Sequence, residues 1–400
     1  MRILFVAPRF WPAVGGMESF LRHVTTALAR RHEVTVLAQG LDSGHRGRLA
    51  DSLLPPARFE AFAHDEVQVL PLRLDGARRV LLAPLALQVV PGLRRYAYGA
   101  ARLPAARLYA RVVGPRIAAA AASADIVHMW GGGLLGAAAI RAARTTGAPV
   151  AITPFAHRGQ WGDEPAAAVT YRSADRVLAL LEEDAAVYRE LGVPAERIEV
   201  CGVCSPGVAA GGGAALRSRL GIEGPLVLFL GVRRPYKGFD LLLEAAPLVA
   251  GSRPDVSFAF LGPGPALPPS DGRILDIGEV GEDERAAWLE AADLLCLPSQ
   301  GEIFPVTILE GWSVGTPVLT SDLPTLRELV GLTGGGATAE RRPDALAEAI
   351  VSLLTDPAAL RMMGESGRRL WQERFTVEAV AAAHERVYER LLGREVACVA

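Results

Sequence analysis

Leu226-Val227-Leu228-Phe229-Leu230-Gly231-Val232-Arg233-Arg234-Pro235-Tyr236-Lys237-Gly238 reads as a short apolar strand, a glycine, a cationic turn and the start of a helix. A continuous apolar run, rather than an alternating one, is what a strand covered on both faces of a parallel sheet looks like. The carboxyl end of such a strand, opening onto a helix N-terminus, is where parallel sheets bind phosphates. Lys237 is the only lysine among 400 residues, arginine supplies 41 of the 42 basic side chains, and asparagine is absent. The composition fits a coding bias against lysine and asparagine. Chance placement is the bland reading of the exception; the functional one is a place where arginine's planar fork is no substitute for a compact ammonium. The neighbouring arginines favour the second, because arginine grips a diphosphate bidentately while lysine neutralises charge as it builds on a leaving group.

The same strand-then-helix rhythm runs outward in both directions. Strand candidates in the first half are Ile3 to Ala7, Val34 to Ala38, Val67 to Leu72, Asp125 to Met129, Val150 to Thr153, Val177 to Leu180 and Ile198 to Cys201. In the second half they are Leu226 to Leu230, Val256 to Leu261, Ile274 to Ile277, Leu294 to Leu297 and Pro317 to Thr320. Alternation with helical patterns implies βαβ units and an α/β fold with two doubly wound sheets. The chain length agrees, since it exceeds the roughly 250 to 300 residues one core usually serves. Ser205-Pro206-Gly207-Val208-Ala209-Ala210-Gly211-Gly212-Gly213 has no apolar period and reads as a linker. The expected domains are residues 1–206 and 207–376, followed by 377–400, whose helical pattern Val377 to Leu392 is expected to pack back on the first domain.

A formal charge of −2 gives no global pull toward nucleic acid, which is excluded as a partner. Cys201 and Cys204 form one Cys-x-x-Cys without a second pair or nearby histidines, so they read as idle thiols, as do Cys296 and Cys398. Few thiols, no signal-peptide pattern and no apolar stretch of about 20 residues lead to the expectation of a cytoplasmic protein. Residues 76–120 carry eight arginines and no aspartate or glutamate, interleaved with Leu, Val and Tyr. If helical, this stretch makes a basic amphipathic surface, suited either to anionic lipid on the inner face of a membrane or to pairing with acids elsewhere.

Downstream of the strand Leu294 to Leu297 lies Pro298-Ser299-Gln300-Gly301-Glu302-Ile303-Phe304-Pro305-Val306-Thr307-Ile308-Leu309-Glu310-Gly311. Pro305 suits the first helical turn, where its missing N–H is not needed; Glu302 is then in the entering loop and Glu310 inside the helix. A helical carboxylate can accept both hydroxyls of a ribose, and a loop carboxylate beside a phosphate site can hold sugar hydroxyls. Taken alone, Glu302 reads as a helix-dipole partner and Glu310 as a solvated helix face.

Together these segments resemble the retaining GT4-type (group 1) glycosyltransferases of the GT-B fold, with two Rossmann-like parallel-sheet domains facing each other across a cleft. The family's Gly-x5-Lys-Gly, Glu-x7-Glu and Gly-x-Pro-Val segments are here Gly231 to Gly238, Glu302 to Glu310 and Gly315-Thr316-Pro317-Val318. The resemblance implies a nucleotide-diphosphate sugar donor held by Lys237 and either Arg233 or Arg234. It places Glu302 on the donor sugar and Glu310 on the ribose, with Gly231, Ser299, Phe304 and Val306 as further substrate contacts. It assigns Gly15 and Gly16, in the loop after the first strand, to the acceptor or diphosphate side, and His157 to the donor sugar; His128 has a structural role. The acceptor is a glycan, a lipid or a small molecule, and closure of both domains over the donor is expected.

Three positions depart from the family pattern: Val232 replaces an arginine, Pro305 a glycine and Gly311 an alanine. No Asp-x-Asp motif stands near a strand end, so transfer without a metal or other cofactor is expected, Lys237 and a helix N-terminus supplying the electrostatics. Two rival readings are a non-catalytic sugar-nucleotide-binding protein and a Rossmann dehydrogenase built on Gly262-Pro263-Gly264. The dehydrogenase fingerprint lacks its third glycine and the immediate helix it requires.

Overall fold

A computed structural model describes residues 1–13, 15–41, 59–74, 80–82, 102–159, 162–163, 165–268 and 272–393. The chain divides into two compact units, Met1–Gly202 with Val380–Ala400, and Val203–Ala379.

The first unit comprises β1 (Arg2–Arg9), α1 (Gly16–Ala29), β2 (Glu33–Gly40), β3 (Phe62–His64), β4 (Val67–Pro71), α2 (Arg102–Ala121), β5 (Ile126–Trp130), α3 (Gly133–Thr146), β6 (Val150–Thr153), α4 (Pro165–Arg172), β7 (Arg176–Ala179), α5 (Glu182–Glu190) and β8 (Ile198–Val200). Its sheet runs β3-β4-β2-β1-β5-β6-β7-β8, parallel throughout except for the β3–β4 pair. Every residue of β5 and β6 is buried, as helices on both faces require. Phe5, Val6, Val127 and Ile152 are fully buried at its centre, each contributing about 1.5–3 kcal/mol by leaving water. Strand β3 is absent from the sequence-based expectation because Phe62-Ala63-His64 is too short to show a period; its pairing with β4 alone makes it a strand.

Helix α2 buries Tyr109, Val113 and Ile117 and exposes Arg107, Arg111 and Arg116, so this part of the arginine-rich stretch is a basic amphipathic helix. Arg78, Arg79, Arg94 and Arg95 lie outside the described residues. Among the described residues no helix is long and apolar enough to cross a membrane.

The second unit comprises α6 (Gly213–Leu220), β9 (Leu226–Leu230), α7 (Phe239–Ser252), β10 (Ser257–Leu261), β11 (Ile274–Gly278), α8 (Glu282–Ala291), β12 (Leu294–Leu297), α9 (Val306–Ser313), β13 (Val318–Ser321), α10 (Pro324–Gly331), β14 (Gly336–Ala339), α11 (Pro343–Leu353) and α12 (Pro357–Leu370). The sheet order is β11-β10-β9-β12-β13-β14, all pairs parallel, with Val227, Phe229, Phe258 and Leu294 fully or almost fully buried. Strand β14, Gly-Ala-Thr-Ala, carries no apolar run and was not legible before its partner β13 was in place.

The glycine stretch 205–213 is not a free linker. Ser205 N–H donates to Phe375 O, Val208 N–H to Ser313 Oγ, and the amides of Gly211 and Gly213 both to Glu290 Oε2. These bonds fix the segment within the second unit, and the division falls at 202/203 rather than at 206/207. Composition suggested flexibility because nothing in it shows which distant groups accept the backbone donors.

After a π-helical turn at Trp371–Phe375 comes α13 (Val377–Leu391), whose residues from Val380 onward belong to the first unit. Glu385 pairs there with Arg31 at 2.9 Å and with His32 at 2.6 Å, and Arg390 pairs with Glu199 at 2.9 Å.

Candidate functional site

In the second unit, two strand ends are stitched together. The 3-10 turn Pro235–Lys237 follows β9, and the loop from Pro298 follows the adjacent strand β12. Gln300 N–H donates to Tyr236 O at 2.7 Å, while Arg341 spans both loops, reaching Pro298 O and Pro235 O at 3.1 and 3.0 Å. Gly238 sits at φ +78° directly against Pro298 O, where a Cβ would collide with that carbonyl. The Lys-Gly pair therefore has a packing cause: only glycine permits both the left-handed turn and the close approach.

That stitching brings Lys237 Nζ to 2.6 Å from Glu302 Oε1, and Ser299 Oγ–H donates to the same oxygen at 2.7 Å. Ser299 is buried, whereas the Lys237 side chain keeps 27% of its surface exposed. An ammonium has three N–H donors, so pairing with Glu302 leaves two for an anion. Helices α7 and α9 begin beside these loops, at Phe239 and Val306, and neither has a side-chain cap. Uncapped first-turn N–H groups and the helix dipole both favour a negatively charged ligand. Pro305 is the N-cap residue of α9 rather than part of its first turn. Val306 opens that helix, and Phe304 packs edge-on against Phe375 with 5.6 Å between ring centres.

The two arginines before Lys237 have opposite fates. Arg233 is 5% exposed; its guanidinium pairs with Asp276, its Nε–H donates to Gly262 O at 3.0 Å, and its backbone N–H donates to Pro263 O at 2.8 Å. Arg234 is exposed, and no carboxylate pairs with it among the described residues. Arg233, a catalytic candidate by sequence, is tied by these bonds to the loop that follows β10. That role also explains Gly262-Pro263-Gly264. A Cβ on Gly262, at φ +118°, would strike Gly231 O, and among the described residues no helix stands between β10 and β11, so these glycines serve loop packing.

Glu310 lies inside α9, its side chain 13% exposed, 3.1 Å from Arg285 Nη1 on α8. Burial pushes its carboxyl pKa up, Arg285 opposes that shift, and Glu282 adds to it. Gly311 next to it packs against Leu295 Cδ2, which a Cβ would approach to 3.0 Å. Sequence reasoning missed Arg285, Arg341 and Asp276. Arg285 sits in Glu282-Asp283-Glu284-Arg285, which reads as an ordinary solvated helix start; Asp276 meets Arg233, and Arg341 meets Pro298, across 43 residues each.

In the first unit, Gly15 is the N-cap of α1 and Gly16 its first residue, and Ser19 N–H donates to Gly15 O at 2.9 Å. His157 is half-buried, two residues after Phe155, which adopts φ +55°. A left-handed conformation at a bulky residue costs of order 1–3 kcal/mol; Phe155 holds it by packing on Trp130 and Phe20, with ring centres 5.3 and 6.3 Å away. His128 is fully buried, with Nδ1 2.6 Å from Tyr388 Oη and Nε2 2.9 Å from Thr153 Oγ1, so it joins β5, β6 and α13. Burial, then the neighbouring His384, pushes its pKa well below the usual value. A pocket of about 340 Å³ in the same unit is lined by Ala110, Leu134, Ile140 and Val169, with Arg107, Arg141 and Arg144.

Cys201, Cys204 and Cys296 are buried and unpaired with one another, and burial pushes the Cys201 thiol up to about 12. All three are protonated near neutrality and unreactive. Cys398 lies outside the described residues.

Two parallel-sheet α/β units define the class, and comparison with known proteins specifies it. A family model described as "Glycosyl transferases group 1" matches residues 224–356, and one described as "Glycosyl transferase 4-like domain" matches residues 15–204. A phosphatidyl-myo-inositol mannosyltransferase of Propionibacterium freudenreichii subsp. shermanii is 35% identical over 162 residues, 38% of this chain and 40% of the relative. A D-inositol 3-phosphate glycosyltransferase of Thermobispora bispora is 31% identical over 248 residues, 55% of this chain and 57% of the relative. The chain thus spans about half the length, or less, of the curated relatives it matches.

Among solved structures, Anabaena Alr3699/HepE in complex with UDP superposes with a TM-score of 0.71 at 17% identity, covering 98% of this chain and 100% of that one. The lipopolysaccharide-biosynthesis glycosyltransferase WaaG does so with a TM-score of 0.60 at 16% identity, covering 98% and 100%. At such identities the likeness establishes the fold alone; a Listeria monocytogenes protein described as a putative UDP-N-acetylglucosamine 2-epimerase shares it too, with a TM-score of 0.58. The chain belongs to the GT4-type, group 1 glycosyltransferase family and has the GT-B fold.

Proposed function

We propose that this protein is a retaining glycosyltransferase that moves a sugar, without a metal, from a nucleotide-diphosphate donor to a hydroxylated acceptor. The observation that carries this reading is the Lys237–Glu302 pair, 2.6 Å apart between two uncapped helix N-termini. In the proposed reaction an acceptor hydroxyl oxygen forms the new bond to the anomeric carbon and the bond from that carbon to the diphosphate breaks. The hydroxyl proton leaves with the diphosphate. Lys237 and the helix N-termini stabilise the charge growing on the leaving group, the kind of preorganised field that lowers such barriers most.

Arg234, exposed beside Lys237, is our choice for the second phosphate cation, with Arg233 as its structural support. Glu302 is read as a donor-sugar contact and Glu310 as the ribose acceptor, with Gly231, Ser299, Phe304 and Val306 read as further substrate contacts. Gly15, Gly16 and His157 are read as the first unit's substrate contacts. The reading without a metal rests on Lys237 and the two uncapped helix N-termini, which together supply positive charge at the leaving group.

For the acceptor, the names of the relatives favour an inositol phosphate or its lipid. Arginines on α2 and α3 lining a pocket whose other walls are mostly apolar support an amphiphilic one. The test is a thermal-shift screen of UDP-, GDP- and ADP-sugars, followed by transfer to inositol 3-phosphate and to phosphatidylinositol vesicles in chelator. Stabilisation and chelator-resistant transfer are expected. Stabilisation without turnover would favour the non-catalytic binding protein, and strict metal dependence would refute the mechanism.

A further inference from the structure

Glu310 and Arg285 form an ion pair that the family segments do not contain. The two residues come from different helices, α9 and α8, and meet at 3.1 Å with side chains 13% and 33% exposed. Arg285 and Glu282, both on α8, are the charged groups that act on Glu310. Arg285 Nε is a buried donor with no hydrogen-bond partner. Leaving such a donor unpaired costs about 1–3 kcal/mol. The guanidinium is thus held with its Nη1 on a largely buried carboxylate while its Nε–H gains no partner from the fold.

The chemistry at Glu310 supplies the use. Two adjacent sugar hydroxyls donate best to an ionised carboxylate, which accepts at both oxygens; a protonated carboxyl turns one oxygen into a competing donor. Burial drives Glu310 toward that protonated form, Glu282 drives it further, and Arg285 is the group that opposes both. Because Arg285 holds Oε1 from the side of α8, it also restricts the rotation of the carboxylate plane.

We propose that Arg285 is a positioning residue of the donor site: it fixes the Glu310 carboxylate to accept the ribose 2′- and 3′-hydroxyls and so sets a preference for ribonucleotides over 2′-deoxyribonucleotides. The proposal rests on the reading of Glu310 as the ribose acceptor.

The probes are UDP, GDP, dUDP and dGDP, titrated calorimetrically into the full chain, its Arg285→Met and Arg285→Lys variants, and Glu310→Gln, from mildly acidic to neutral pH. The parent is expected to bind the better of UDP and GDP at least about tenfold more tightly than its deoxy counterpart, about 1.4 kcal/mol. Arg285→Met should bring that ratio near one while leaving deoxynucleotide affinity within about twofold, and Arg285→Lys should restore part of it. With any residual preference, Arg285→Met should lose it at a higher pH than the parent does, because the carboxylate protonates more easily without the guanidinium.

An Arg285→Met protein that keeps the parent's ratio at every pH would overturn the proposal and leave the ribose assignment standing. So would equal loss of affinity for both nucleotide types, which marks a merely structural role. A parent that shows no preference, matched by an unaltered Glu310→Gln, removes the ribose assignment itself and the proposal with it.

Discussion

The two units place very different chemistry at the centre of similar parallel sheets. In the first, the groups that join the central strands β5 and β6 to α13 are neutral: His128, His384, Tyr388 and Thr153 are fully or almost fully buried among Phe5, Phe20 and Trp130. In the second, the loops and helices that follow the strands carry ion pairs with partial access to water: Lys237 with Glu302, Arg285 with Glu310, and Arg233 with Asp276 of β11. Where a polar network serves only to hold elements together, removing it from water favours neutral forms. In the second unit the charges are kept and paired, and on the proposed reading a charged ligand joins or replaces those partners.

The largest test of that contrast is Lys237→Ala. Transfer should fall by at least about 10²-fold, the scale of removing one charge-stabilising donor, while far-UV circular dichroism and melting temperature stay near the parent's; activity equal to the parent's would sink the assignment. In the first unit, His128→Ala should act on stability instead. It strands the Tyr388 and Thr153 hydroxyls and opens a cavity, so urea unfolding should show a loss of about 2–4 kcal/mol.

Next comes pH. Burial lowers the His384 pKa to about 4 and pushes that of His128 well below its usual value. The unfolded chain takes up those protons near pH 6.5 and the folded chain does not, so stability is full above pH 6.5 and declines as pH falls from there toward about 4. His384 alone accounts for about 3 kcal/mol of that decline. His384→Phe should flatten the acid limb of a stability–pH curve measured by urea unfolding, and an unchanged slope would show that the buried histidines do not govern it.

The smallest and finest test compares neighbours. Arg233→Ala should cost about 2 kcal/mol of stability by freeing Asp276 and the Gly262 loop. Arg234→Ala should leave the melting temperature alone and raise the donor KM about tenfold, on the scale of one lost charge-assisted bond. The reverse pattern would exchange their roles.

Much of this was legible beforehand, and the reasons differ by feature. Strands such as Leu226–Leu230 and Val150–Thr153 announced themselves because burial on both faces leaves an unbroken apolar run. Strands β3 and β14 did not, since edge strands this short take their identity from the neighbour they bond to. Likewise the glycine cluster at 205–213 looked like a linker until Ser313, Glu290 and Phe375 were seen accepting its amides. The spacing of Glu302 and Glu310 is local, set by one loop and one helix, and could be read directly. The partners of Arg233, Arg285 and Glu385 are tertiary and could not.

By itself the sequence determined the α/β architecture, the family, the lone lysine's place at a strand end and the division of two carboxylates between loop and helix. The family rests on the likeness of whole segments; the rest follows from periodicity and short spacings, which the backbone converts into geometry within a few residues. Only the tertiary structure decided which charge serves which purpose: that Arg233 braces a loop while Arg234 stays exposed, that Lys237 meets Glu302, and that Glu310 leans on Arg285. The physical reason is that an ion pair depends on distance and burial, and both are set by the packing of helices and loops whose sequence positions lie 25 to 65 residues apart.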